Sequence, residues 1–337
     1  METLELLAVA LGLATLAGLN LYLTVFATGL AVHFQWVTLA EAHSHLAVLG
    51  DPWIVGISGA LYFLQFFADK VPWVDSLNDT VHTAIRPLGG AVLAVLALGD
   101  AHPAVSVIAA LLAGGAALTS HAAKAGTRLV ANASPEPISN IGLSLGEDAV
   151  VLGGLTLVWL YPFAAAAIAL IALVLIWMFL PGLLRATRAT AWLAWRKLNT
   201  PAAPDASRKA PPLPANCEAA LRRARATSSD ISETVPCISG GGPRLPKHYR
   251  GWLVRFACEP DNLFFVAPRW RGPLVVDVPV ANSQPKRSSK FLSEMLELGQ
   301  PGGERHRFLF ERGEARQADR LAESLNRENS EASLAAV

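Results

Sequence analysis

The chain has 337 residues, of which 52% are hydrophobic and only 16% charged, with a mean hydropathy of +0.37. Soluble proteins average about 25% charged residues, and here the deficit is uneven: charges are rare up to Leu184 and frequent from Arg185 onward. A net charge of +1 without a basic stripe between aromatics excludes nucleic acid as a partner, and the composition break predicts a membrane bundle over residues 1–184 followed by a soluble part.

A helix rises about 1.5 Å per residue, so about 20 residues cross the hydrocarbon. Six stretches qualify, at about 6–31, 52–68, 80–99, 104–121, 138–160 and 163–184. The first is too long for a signal-peptide core and has no basic flank before it, so it reads as a span. Lys70, Lys124, Arg128 and the basic run from Arg185 all fall on one side of this six-span scheme, while the loop 33–51 and the turns at 99–103 and 161–162 carry no Lys or Arg. The positive-inside rule then places both termini in the cytoplasm. Lys70 and Lys124, and Leu88-Gly89 and Leu145-Gly146, occupy matching positions, which suggests a parallel helix-hairpin repeat.

Glu147 and Asp148 are the most informative residues. Only residues 149–160 follow them before Tyr161-Pro162, about 18 Å of helix, so the fifth span must carry both acids into the membrane. Charges there are costly and are functional candidates by default. Arg86, on the third span by the same arithmetic, is the expected counter-charge; a structural ion pair is the competing account. A second cluster is expected at the cytoplasmic mouth: Asp69, Lys70 and Asp75 on one loop, and Lys124, Arg128, Asn132, Glu136 and Asn140 on another. Ser134, Pro135 and Glu136 suit a helix start, and Asp75 and Asp79 suit N-caps. Positive-inside topology alone accounts for Lys124 and Arg128, whereas a headgroup or phosphate site would use the whole cluster. His82 and His121 sit near span ends, where a proton shuttle competes with an ordinary polar contact. Glu41, His43 and His45 do not share a helix face, so no metal site and no cofactor are expected.

The run Ala68-Asp69-Lys70-Val71-Pro72 with Asp75, then Arg86-Pro87, Lys124, Asn132, Ser134-Pro135-Glu136-Pro137, Asn140, Ser144 and Glu147-Asp148 resembles a bacterial membrane family catalogued as domain of unknown function 4126, over roughly residues 6–184. The resemblance implies a membrane bundle and marks these positions as the ones of interest. It also implies a Glu where this chain has Gln65.

After the bundle, residues 185–198 hold Trp192 and Trp195 among cations and read as an amphipathic helix at the headgroup level; continuation of the last span is the alternative. Residues 199–240 read as a Pro/Ala-rich linker. Short β-rich runs at 251–256, 262–267, 274–278, 291–298 and 307–311 precede a helix whose Ala315, Ala318, Ala322 and Leu325 share a face. Residues 241–327 are thus similar to a small α+β, pleckstrin-homology-like fold, with 328–337 as a disordered tail. Cys217, Cys237 and Cys258 are odd in number and lack CxxC spacing, which fits free thiols. No catalytic grouping is visible, so an enzyme is not expected. The expected function is a transporter or a lipid- or ion-handling channel, with membrane lipids as partners, an anionic small molecule, ion or proton as cargo, and a homo-oligomer as an option. The alternative is a membrane-anchored scaffold or sensor presenting the cytoplasmic domain.

Overall fold

The computed structural model describes the chain apart from residues 1, 38, 40, 132–136, 201–211, 226–229, 282, 301–302, 312–313 and 336–337. The chain divides into two compact units, Met1–Leu183 and Leu184–Val337. Asn132 and Glu136 lie outside the described residues, as do the side chains of Glu41, Asp75 and Asn140.

The first unit is helical: α1 (Glu2–His33), a 3₁₀ helix (Glu41–Gly50), α2 (Pro52–Ala68), α3 (Pro72–Leu98), α4 (Pro103–Ala131), α5 (Pro137–Leu160) and α6 (Pro162–Asn199), which runs on into the second unit. Proline opens α2 to α6, where its fixed φ suits the first turn and its missing N–H costs nothing. Pro72 starts α3 with Val71 as a cap lacking a side-chain bond, so Asp75 and Asp79 lie inside the helix and are not its N-caps. The outer faces of α3 to α6 expose large apolar side chains such as Leu111, Leu112, Ile168, Trp177 and Phe179, as lipid-facing helices require.

Among the described residues, five helices are long and apolar enough to cross a membrane, or six if the 3₁₀ helix and α2, bent by 69°, form one span. α1 meets that standard by length, but its contacts fold it back on itself. Its first half is antiparallel to α3: Leu6 clusters with Leu98, and Gly18 O meets Arg86. Its second half is antiparallel to α2, because a Cβ at Gly29 would touch Val55 and one at Gly59 would touch Phe26. α2 is itself antiparallel to α3; it carries Tyr62 at the level of Asp148 and Asp69 at the level of Arg128, and three residues later α3 begins. The two halves of α1 therefore run in opposite directions. Along a straight helix Gly29 would lie about 35 Å from Leu6. Instead Gly29 packs on Leu49, four residues from His45, which pairs with Asp100 beside Leu98. The expected first crossing at 6–31 is thus a re-entrant hairpin with its tip at Asn20, the one residue inside α1 with non-helical angles (φ −149°, ψ 94°). Close approach is built in at Gly18, where a Cβ would stand 2.3 Å from Ala117 O.

The second unit is a seven-stranded antiparallel sheet in the order β4-β3-β2-β1-β7-β6-β5, formed by β1 (Ile231–Gly241), β2 (Arg250–Phe256), β3 (Glu259–Ala267), β4 (Leu274–Pro279), β5 (Gln284–Ser289), β6 (Glu294–Gly299) and β7 (Arg305–Phe310). α8 (Ala315–Ala335) seats Ala318, Leu321 and Leu325 on one face of the sheet, against a core with Phe265, Phe308 and Phe310. α7 (Ala215–Arg225) seats Cys217 and Leu221 on a second cluster with Phe256 and Phe264. The expected linker at 199–240 therefore holds α7 and almost all of β1. The expected headgroup helix at 185–198 is the end of α6, and its Ala189 and Leu193 pack on Ile238 of β1. Its small apolar face fits the sheet, Arg196 makes a bidentate pair with Glu311, and only Trp195 of its two tryptophans stays largely exposed.

Candidate functional site

The tip of the α1 hairpin is where the bundle gathers its charges. Asn20 is buried, and its extended backbone interrupts the i→i−4 ladder. The N–H of Leu23 donates to Asn20 Oδ1 (3.1 Å), a side-chain cap for the second half. Thr24 Oγ1 donates to Asn20 O (2.8 Å). The freed carbonyls at the end of the first half are met by cations: Lys124 Nζ donates to Leu19 O (3.0 Å) and Arg86 Nη1 to Gly18 O (3.2 Å). Cations suit a helix C-terminal end, whose carbonyls carry partial negative charge.

Three arrangements surround this tip. In the first, α2, α4 and α5 contribute Asp69, Lys124, Arg128 and Glu147. Arg128 grips Glu147 with two bonds (Nε–Oε1 3.2 Å, Nη2–Oε2 2.6 Å) and reaches Asp69 (3.2 Å). Lys124 lies 3.0 Å from Glu147 and 3.6 Å from Asp69. In the second, Arg86 is fully buried, 3.7 Å from Asp79, and donates through Nη1 to His121 Nδ1 (2.7 Å). Arginine has no acceptor atom, so His121 Nδ1 is the acceptor, the ring is neutral, and its proton sits on Nε2, which donates to Asp79 O (3.0 Å). In the third, Asp148, midway along α5, accepts from Asn20 Nδ2 (3.0 Å) and from Tyr62 Oη (3.0 Å).

The expected clusters are therefore redistributed. Asp69, Lys124, Arg128 and Glu147 come together in one ion network. Arg86 does not pair with Glu147, because the α1 tip engages Arg86 through Gly18 while Lys124 and Arg128 hold Glu147. Lys70 stays outside the network, donating to Phe66 O (3.2 Å) and lying over the Phe66 ring. His82 donates to Asn78 O (2.8 Å), His43 bonds Ala97 O (3.2 Å), and no metal-binding group of His, Cys, Asp and Glu occurs among the described residues. Asn20, Tyr62 and the place of His121 at the site escaped the sequence reading. Asn20 carried a signal nonetheless: it is an amide in the middle of an apolar run, as conspicuous as the two acids of α5.

The network does not use all of its own polar capacity. Arg86 Nε and Nη2, both polar side-chain atoms of Gln65, Asp69 Oδ1, Asp79 Oδ1 and His82 Nε2 are buried without a hydrogen-bond partner. Buried polar groups are normally paired; of these atoms, Arg86 Nη2 and Asp79 Oδ1 face each other as an ion pair at 3.7 Å, longer than a hydrogen bond.

No curated protein and no solved structure matches the chain. The family model described as Domain of unknown function (DUF4126) matches residues 7–181, more than half of the chain. That match takes in the α1 hairpin and every residue of the charged network, and the chain is a multi-pass membrane protein belonging to this family.

Proposed function

We propose that the bundle is a transporter that carries a small anion past the α1 tip. The observation that carries this reading is the broken helix itself. Discontinuous helices with free backbone ends near the middle of a bundle are a recurrent way to build substrate sites in membranes. Asn20, Arg86 and Asp148 all lie near the middle of their helices, and Arg86 Nε and Nη2 are buried without a hydrogen bond, Nη2 facing Asp79 only at 3.7 Å, a fork able to hold an anionic oxygen. The test uses the full chain in proteoliposomes against a panel of labelled small anions, inorganic phosphate, sulfate and short carboxylates among them. Arg86→Gln is expected to abolish uptake that the wild type shows. A wild type that moves nothing on the panel refutes the reading.

We assign the protein to a bacterial inner membrane, as the family resemblance implies, and place the ends that carry Lys70, Lys124 and Arg128 in the cytoplasm by the positive-inside rule. The second unit, at the end of α6, belongs on that side too. The expectation of a cytoplasmic N-terminus rested on α1 crossing; with α1 folded back, the N-terminus falls on the opposite face. The strand order closed by α8 supports a pleckstrin-homology-like fold for the second unit. A scaffold reading finds support in a cavity of about 580 Å³ there, lined in part by Trp192, Arg196, Arg250 and Trp252. Deleting residues 200–337 separates the readings: a transporter retains uptake, and a scaffold loses its cellular effect.

A further inference from the structure

We propose that Asp148 is the proton-binding group of the bundle, with Tyr62 as its relay and Asn20 as the link to the anion site. The inference rests on the transport reading and adds the coupling ion to it. The neighbouring acids of α5 have opposite surroundings. Glu147 is clamped by two cations, Lys124 and Arg128. Among the described residues, the partners of Asp148 are neutral: the amide of Asn20 and the hydroxyl of Tyr62. Among the described residues, Tyr62 of α2 and the neutral Asn20 of α1 bond to it, and the charged groups of the adjoining network are Asp69 just after α2, Lys124 and Arg128 of α4 and Glu147 of its own helix. Both cations are engaged by Glu147 and Asp69.

The chemistry of those partners selects a proton over a metal ion. A metal cation needs converging lone pairs, whereas Asp148 is met by two hydrogen-bond donors. A proton can be added without dismantling the site. It goes to Oδ2, because the Tyr62 oxygen can turn from donor to acceptor, while the Asn20 Nδ2 on Oδ1 cannot. The O–H bond on Oδ2 forms as an O–H bond of a hydronium ion breaks, which leaves a water molecule, and the carboxylate becomes neutral. The bond from Asn20 then loses its charge assistance. Asn20 is the hinge residue of the tip, and the carbonyls just before it hold Arg86 and Lys124. Protonation at Asp148 is thereby transmitted to the residues that would hold the anion, and one proton with one monovalent anion crosses without net charge.

The test is an infrared pH titration of the full chain in lipid, following the C=O stretch of protonated carboxyl groups. One component is expected to be missing in Asp148→Asn and retained in Glu147→Gln. Tyr62→Phe removes the hydroxyl bonded to Oδ2 and is expected to move that component in frequency, the mark of a changed hydrogen bond. A component that survives Asp148→Asn, disappears in Glu147→Gln, or is unmoved by Tyr62→Phe overturns the proposal. The band is read without flux, so the expected bands in a protein that carries no anion support the proton site and sink the transport reading alone.

Discussion

At the scale of single residues, the charged network balances cost against geometry. Lys124 and Arg128 are almost wholly buried, and an ion in that setting persists only when paired and hydrogen-bonded. Lys124 meets two carboxylates and a backbone carbonyl, so Lys124→Met leaves Asp69 and Glu147 short of charge and Leu19 O without its donor. The expected loss is about 3–5 kcal/mol of stability, measured by denaturant titration in mixed micelles, with Glu147→Gln in the same chain recovering part of it. A double-variant loss equal to the sum of the two single-variant losses would show that the pair does not interact. Among the described residues no such cation pairs with Asp148, and it, not the equally conspicuous Glu147, is the acid proposed to take up the proton.

At the scale of elements, the bundle depends on close helix approach and the sheet on buried neutral groups. Gly18→Val would force a side chain into the Ala117 backbone and is expected to destabilise the α1–α4 contact by more than about 2 kcal/mol, read by the same titration. In the sheet, burial lowers the pKa of His306 below the usual histidine value. The unfolded chain then binds more protons than the folded one as pH falls below about 6.5, so the stability this histidine contributes is present above that pH and lost on acidification. Hydrogen exchange of the β1 and β7 amides, corrected for intrinsic rates, is expected to quicken between pH 7 and 5.5, and less so in His306→Gln. Burial also raises the thiol pKa of Cys217 and Cys237, which leaves the exposed Cys258 as the cysteine expected to react first with alkylating reagents.

The helices of the bundle were legible because proline punctuates them and apolar runs fill them. The α1 hairpin was not, because one extended residue inside a continuous apolar run leaves the hydropathy unchanged. β1 and β5 were missed for a similar reason. β1 is rich in Ser, Thr, Pro and Gly, and β5 is a polar edge strand with a proline, as edges often are. The acids of α5 were recognisable from span arithmetic, but their partners depend on a tertiary contact, the α1 tip lodged between α3 and α5, that no local pattern encodes.

At the scale of the whole molecule, the fold-back of α1 sets the topology, creates the carbonyl ends that Arg86 and Lys124 engage, and brings Asn20 to Asp148. Its consequence is a matter of sides. If α1 crossed straight through, the N-terminus would share a face with Lys70, and Asp100 would lie opposite. With α1 re-entrant, the N-terminus shares a face with Asp100 and Lys70 lies opposite. The deciding measurement places single cysteines at positions 2, 70 and 100 of a chain whose native cysteines are replaced, and labels sealed vesicles of known orientation with an impermeant thiol reagent. The expected result is that positions 2 and 100 are labelled from one side and position 70 from the other. Labelling of positions 2 and 70 from the same side, with 100 from the other, would contradict the hairpin and with it the site built around its tip.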